Sequence, residues 1–274
     1  VGVGTITTLD LQKDYVVGAY RDHGYALACG IEPNAVMAEL YGKKTGCSKG
    51  KGGSMHMYDA EKHMLGGNGI VGSQIPVATG VGMKIKYKKE DGVVLCYFGD
   101  GAIHQGAFHE SMNLAKIWNL PVIFICENNQ YGMGTDFRRV SSVEDFSIMG
   151  TSYGIEGKQL NGMDVLHVYD EMLQAVADVR DTGTPKFFEI KTYRYKGHSM
   201  SDPAKYRSKE ELQEYKDQDP IIILQKALVE EKMITDDEIK ELDDAAKQKS
   251  TDAADFAENS DEPDAEALYT DVYA

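Results

Sequence analysis

The run Val93-Val94-Leu95-Cys96-Tyr97-Phe98, closed by Gly99-Asp100-Gly101, decides the fold. Its apolar residues leave no polar face, so the run reads as a short strand covered on both sides, the habit of parallel sheets packed between helices. Beyond the glycine turn, Ala107, Phe108, Met112, Ala115 and Trp118 recur at helical spacing. Pro121 then introduces a second apolar run, Val122 to Cys126. Strand, helix and strand make a βαβ unit, expected right-handed. Lys186 to Lys191 reads as a third strand, preceded by a helix from about Asp164 to Arg180. Upstream, Asn34 to Tyr41 and Pro76 to Lys88 read as helices, the second carrying Ala78, Gly80 and Gly82, which permit close backbone packing. The expected fold class is α/β, a parallel sheet flanked by helices.

From Ser208 the composition turns acidic and helical, with capping-box spacing at Ser208 to Glu211 and Thr235 to Glu238. The chain is therefore expected to divide into an α/β domain over 1-207 and an acidic helical C-terminal extension over 208-274, whose charge reads as a solvated face. Two glycine-rich stretches, Lys49 to Ser54 and Gly66 to Gly72, interrupt the regular pattern.

The 274 residues hold 29 Lys plus Arg against 44 Asp plus Glu, a net charge of -15. A nucleic-acid binder would need a locally basic face, and no long basic run exists. No apolar stretch reaches the ~18 residues of a membrane helix. Neither nucleic acid nor membrane is an expected partner. Cys29, Cys47, Cys96 and Cys126 form no C-x-x-C pair and the histidines no H-E-x-x-H, which argues against zinc and for a reducing compartment. The chain opens at Val1 with no signal pattern and reads as a processed or truncated product.

Asp100 follows the end of one parallel strand, and Asn128-Asn129 follow the end of the next. Neighbouring strands lie ~4.8 Å apart, so both side chains can reach one point in the crevice where α/β sheets bind ligands. A carboxylate and an amide oxygen form part of an octahedral shell that Mg²⁺ completes with phosphate oxygens and water. Gly99 and Gly101 let the backbone approach, and the next helix N-terminus offers free N–H groups to an anion. The constellation predicts a magnesium-bound diphosphate. Gly-Asp-Gly alone is most often a turn; pairing with Glu127-Asn128-Asn129 makes it specific. His198, between a strand and a polar loop, can exchange a proton near neutral pH. His104 and His109 flank a helix turn and are assigned structural roles; His56 and His63 receive no ligand role.

Gly99-Asp100-Gly101, 26 residues and then Asn128-Asn129 is similar to the thiamine diphosphate motif. Over nearly its whole length the chain resembles the α subunits of the thiamine diphosphate-dependent 2-oxo acid dehydrogenase E1 family. The likeness runs through Tyr20-Arg21-Asp22-His23-Gly24, Gly52-Gly53-Ser54-Met55-His56-Met57, Glu127 to Thr135 and Thr192 to Pro203. The resemblance implies a thiamine diphosphate-binding fold in which Asp100, Asn129 and the carbonyl of Tyr131 hold Mg²⁺, with Gly101 and Ala102 near the diphosphate. Tyr20 and Arg21 would bind the diphosphate from the opposite side, Gly69 and Val71 would meet the aminopyrimidine through their main chain, and His198 would be the catalytic histidine of the pocket. It further implies oxidative decarboxylation of pyruvate, with acetyl transfer to lipoamide on the E2 dihydrolipoyl acetyltransferase. An E1 β subunit would complete an α2β2 heterotetramer and supply the carboxylate that activates the aminopyrimidine. Gly197 to Pro203 favours pyruvate over acetoin or branched-chain 2-oxo acids.

By the same resemblance the location is bacterial cytoplasm or, alternatively, mitochondrial matrix. The family's N-terminal helical segment, with another pocket histidine, has no counterpart before Val1, and activity is expected to require it. Of the regulatory serines Ser199 is present, whereas Asp136 and Lys205 stand at or beside two others, so multi-site phosphorylation is not expected. A nucleotide-binding Rossmann oxidoreductase would want G-x-G-x-x-G, and Gly99 to His104 lacks the third glycine. A non-catalytic scaffold subunit is the other rival.

Overall fold

The computed structural model describes residues 1–272. Its strands are β1 (Tyr15–Ala19), β2 (Met64–Asn68), β3 (Val94–Gly99), β4 (Val122–Asn128), β5 (Tyr131–Gly132), β6 (Thr135–Asp136), β7 (Glu156–Asn161) and β8 (Lys186–Lys191). The helices are α1 (Gly2–Ile6), α2 (His23–Ala28), α3 (Pro33–Leu40), α4 (Gln74–Lys88), α5 (Gly106–Ile117), α6 (Val165–Thr182), α7 (Lys209–Lys216), α8 (Pro220–Glu230) and α9 (Asp236–Glu258). Six strands form one parallel sheet in the order β2-β1-β3-β4-β8-β7, while β5 and β6 make a small antiparallel hairpin. The chain is α/β with helices on both faces, as its sequence predicts.

Alternation along the buried strands supplies both faces. Leu95, Tyr97, Ile123 and Ile125 pack with Ile6, Tyr25, Val36, Val168 and Met172 on the α1, α2, α3 and α6 side. Val94, Cys96, Phe98, Val122 and Phe124 pack with Ile75, Ala78, Phe108 and Met112 on the α4 and α5 side. Of the two glycines in α4, Gly82 is the one that packing requires: a Cβ there would lie 2.5 Å from Val122, whereas one on Gly80 would meet nothing within 4 Å.

Strands β1, β2 and β7 complete the sheet, and none has a long apolar run. β1 lies between β2 and β3, so the chain leaves β1 to one side and returns to its other side. That reversal creates a crevice between β1 and β3 at the carboxyl edge. A buried ion pair anchors the opposite end. Asp14, just before β1, accepts from Arg180 Nη1 and Nη2 at 2.9 and 2.7 Å and from Val93 N at 2.8 Å.

The first glycine-rich stretch wraps an internal carboxylate. Glu39 is fully buried, and its two oxygens accept from the backbone N–H groups of Ser48, Gly50, Gly52 and Gly53 at 2.7 to 3.0 Å. Gly50 has φ +76, and a Cβ there would lie 2.5 Å from the Gly42 carbonyl oxygen. These N–H groups are consumed within the protein.

The predicted capping box at Thr235 and Glu238 is complete. At Ser208 only half forms: its hydroxyl accepts from Glu211 N, while the Glu211 carboxylate accepts from the Tyr131 and Tyr193 hydroxyls. This ties α7 to the β5–β6 hairpin and to the end of β8. α9 packs on α3 with Ala253 and Ala257 buried. Its following segment pairs Glu262 with Lys43, Asp261 with Lys44, and Asp271 with Lys49 and Lys51, so part of the acidic surplus meets local cations. Among the described residues no helix is long and apolar enough to cross a membrane.

Candidate active site

Five parallel strands deliver residues to the same sheet edge. β1 leads into Tyr20-Arg21, β2 into Gly69 to Val71, β3 into Asp100 to Ala102, β4 into Asn129 to Tyr131, and β8 into the segment from Thr192 to His198. Tyr20, Arg21, Val71, Asp100, Gly101, Ala102, Asn129 and Tyr131 line one cleft of about 350 Å³. The other two expected residues are not among its lining residues. His198 stands against Tyr20 and Arg21, and Gly69 lies against the ring of His56.

Asp100 is 5% exposed, and its Oδ1 accepts from Asn129 N at 3.3 Å. Burial pushes its carboxyl up to about 6, against the opposing pull of backbone N–H groups and of Arg194 and Arg21. Asn129 Oδ1 accepts from Tyr131 N at 3.3 Å. Between them Gln130 takes φ +75, held by donation from its N–H to Asn128 Oδ1 at 3.0 Å. Gly101 and Gly132 face each other beside the carboxylate. A Cβ on Gly132 would lie 3.7 Å from Gly101 Cα and 4.0 Å from Asp100 Oδ2, filling the space next to that oxygen.

Asn128 has a different task from Asn129. It is the last residue of β4, fully buried, and its Nδ2 donates to Glu189 Oε1 at 2.7 Å. Glu189 Oε2 accepts in turn from Phe146 N and Gln159 Nε2. Sequence alone put both asparagines past the strand end; pairing with the buried carboxylate on β8 keeps Asn128 in the sheet.

Arg194 carries no role in the sequence reading beyond its place in a motif. It donates through Nη1 to the Tyr131 carbonyl at 3.2 Å and through Nη2 to the Met133 carbonyl and the Tyr206 hydroxyl, each at 2.6 Å. Tyr206 donates to Asp202 Oδ2, which also accepts from His198 N at 2.6 Å. The loop from Lys196 to Arg207 is thus secured by polar ties, which leave no periodicity in the sequence. Burial, then Arg21 and Arg194, lower the His198 pKa from its ordinary value, with Asp202 opposing.

Glu127 and Gln74 also line the cleft. The buried Glu127 carboxylate accepts from the Tyr25 hydroxyl, and burial raises its pKa against that bond. Gln74 Nε2 donates to the Tyr97 carbonyl at 3.0 Å, leaving its buried Oε1 without a protein partner. Nothing in sequence marks Gln74, whereas Glu127 adjoins the asparagine pair. Of the remaining histidines, His104 lines the cleft at the Phe146 side, beyond the structural role expected of it. His109 pairs with the Tyr153 hydroxyl, and His63 stacks on Tyr15.

The donor set fits a hard cation with a phosphate-bearing ligand. A carboxylate, an amide oxygen and a main-chain carbonyl are oxygen donors of the kind Mg²⁺ accepts. No group of three or more His, Cys, Asp or Glu that could hold a metal exists among the described residues, so ligand oxygens would have to complete the shell. The 3₁₀ turn Asp100–Ala102 and Arg21 line the same cleft, and a guanidinium is a donor of the kind phosphate oxygens accept from.

A three-layer α/β protein with an oxygen-lined crevice at the reversal point of a parallel sheet is the class these features define. The family described as Dehydrogenase E1 component matches residues 1–266. The chain belongs to this thiamine diphosphate-dependent family. It is similar to proteins named pyruvate dehydrogenase E1 component subunit alpha. One from Rickettsia felis is 45% identical over 271 residues, covering 99% of this chain and 83% of the relative. One from Rhizobium meliloti is 50% identical over 262 residues, covering 95% and 75%. A mitochondrial one from Sminthopsis macroura is 44% identical over 263 residues, covering 95% and 71%.

Proposed function

We propose that this chain is the α subunit of a pyruvate dehydrogenase E1, acting on pyruvate with an E1 β subunit in an α2β2 assembly and passing the acetyl group to lipoamide on E2. The carrying observation is the meeting of Asp100, Asn129 and the Tyr131 carbonyl in the cleft that Arg21 and Gly101 also line. Asp100, Asn129 and Tyr131 would hold Mg²⁺. Arg21, Tyr20, Gly101 and Ala102 would hold the diphosphate, and the main chain of Gly69 and Val71 would meet the aminopyrimidine. Bound thiamine diphosphate supplies the carbanion chemistry of 2-oxo acid decarboxylation. His198, at the rim beside Arg21, would hold or release a proton at a substrate oxygen.

Residues 1-207 form the cofactor-binding domain in this reading, and 208-274 an appended helical extension. Helix α8 supports the partner assignment: none of its residues is buried, and Ile221, Ile222 and Ile223 are 66, 44 and 38% exposed. Cys29, Cys47, Cys96 and Cys126 are all free, which suits a reducing cytoplasm or mitochondrial matrix. Calorimetric titration with thiamine diphosphate, in the presence of the β subunit, tests the site. Binding in Mg²⁺ that disappears in chelator is expected; equal binding without a divalent cation would refute it.

A further inference from the structure

We propose that Arg21 is handed over from His198 to a bound diphosphate, so that filling the cleft frees Nδ1 of His198 to take a proton. This rests on the diphosphate reading of the cleft. Arg21 Nη2 lies 3.3 Å from His198 Nδ1 and 3.4 Å from the His198 carbonyl oxygen. A guanidinium has donors only, so Nδ1 must present its lone pair, and the neutral ring must carry its proton on Nε2. Moving that proton to Nδ1 would set N–H against N–H, and adding a second proton there would place two cations in contact.

The surroundings of His198 reinforce this state. The Tyr20 ring meets the imidazole edge-on at 5.9 Å between centroids. Arg21 and Arg194 oppose a positive ring, and Asp202 is the single anion favouring it among the groups acting on His198. That carboxylate is already engaged by the N–H groups of His198 and Ala204 and by the Tyr206 hydroxyl. Removing Arg21 therefore removes both the occupant of Nδ1 and one of two repelling charges.

Arg21 is placed to leave. It lines the cleft together with Asp100 and Gly101, and its charge acts on both Asp100 and Glu127. Its bonds to His198 are solvent-exposed and long. Phosphate oxygens accept from a guanidinium through charge-assisted, two-pronged bonds, which outcompete a neutral ring nitrogen. Loading the anion then converts an imidazole held in one tautomer into one that can exchange protons at both nitrogens. Arg21 acts here as a positioning residue for His198.

Long-range ¹H–¹⁵N spectra of the full chain, labelled at histidine and assembled with unlabelled β subunit, read the tautomer and the titration directly, with the His198 signal identified by its loss in His198→Asn. The probe is inorganic pyrophosphate with Mg²⁺, whose ³¹P signal reports its own binding. In the free wild type the neutral ring should be mainly Nε2–H. In Arg21→Met that bias should relax by about fivefold, the usual worth of one net hydrogen bond, and the His198 pKa should rise. Saturating pyrophosphate should do the same to the wild type, and should leave the tautomer ratio of Arg21→Met unchanged. An identical tautomer ratio in wild type and Arg21→Met would overturn the contact, without involving any ligand. Bound pyrophosphate that leaves the wild-type ratio unaltered would overturn the hand-over alone. A ³¹P signal that never shifts would remove the diphosphate reading and the hand-over with it.

Discussion

The backbone N–H of Asn129 donates to Oδ1 of Asp100 across 3.3 Å, joining the end of β4 to the end of β3 beside the crevice between β1 and β3. One bond thereby fixes two of the three expected cation ligands relative to each other. The third follows from the turn, since Asn129 Oδ1 accepts from Tyr131 N.

The two adjacent asparagines should fail differently. Asn129→Ala removes an oxygen donor from the cleft, and binding of thiamine diphosphate in Mg²⁺ should weaken by about 100-fold with little change in stability. Asp100→Ala should do at least as much. Asn128→Ala instead leaves Glu189 Oε1 without its donor in the interior, and should cost about 1 to 3 kcal/mol of stability. Calorimetric titration and urea unfolding of the three variants separate these effects.

Glu39→Gln should destabilise the chain by about 3 kcal/mol or more, because an amide offers one acceptor oxygen where four backbone N–H groups need two. The midpoint of denaturant unfolding checks it. An unchanged midpoint would mean that the glycine-rich stretch does not depend on its internal carboxylate.

The strands that were legible in sequence are the doubly buried ones, β3, β4 and β8, whose side chains must be apolar on both faces. β7 hid because it is an edge strand with Leu160 as its single buried residue. β1 and β2 hid because glycines stand where partners come close: a Cβ on Gly18 would meet Tyr25 at 3.1 Å, and one on Gly67 would lie 1.9 Å from Asp22 Oδ2. In the site, Asp100 and Asn129 were legible since their chemistry sits in their own side chains at strand ends. Arg194, Gln74 and the division of labour between Asn128 and Asn129 depend on hydrogen bonds to residues 23 to 63 positions away, which no local pattern records.

Asp202 sets an acid limit for the loop from Lys196 to Arg207. Donation from His198 N, then from Ala204 N and the Tyr206 hydroxyl, holds its carboxyl at about 2, below the ordinary 3.8. With the folded value depressed, the stabilisation is complete above about pH 4 and is lost as the pH falls towards 2. Wild-type loop protection should therefore be constant from pH 4 upward, whereas Asp202→Asn should lose it even at neutral pH. Trypsin cleavage at Lys205 and Arg207 at neutral pH should be roughly tenfold faster in the variant. Equal cleavage rates would show that Asp202 does not hold the loop.

Ser199 should be the most sensitive position of that loop to added charge. Its hydroxyl lies 3.1 Å from the Ser201 hydroxyl, and its carbonyl accepts from Asp202 N, so it belongs to the same turn as the anchoring carboxylate. A phosphate here would add ~1.5 to 2 negative charges beside Asp202, and beside a cleft assigned to an anionic cofactor and an anionic 2-oxo acid. Both effects act in one direction: repulsion of Asp202 loosens the turn that positions His198, and repulsion of the substrate opposes its entry. Ser199→Glu, carrying a single charge, should lower kcat/KM for pyruvate by roughly tenfold or more in the reconstituted α2β2 assembly. Ser199→Ala should retain most activity, because among the described residues the hydroxyl bonds only to its serine neighbour. Thiamine diphosphate binding measured in parallel separates lost substrate entry from lost cofactor. Near-normal kinetics in Ser199→Glu would place this turn away from the reacting centre, and His198 with it.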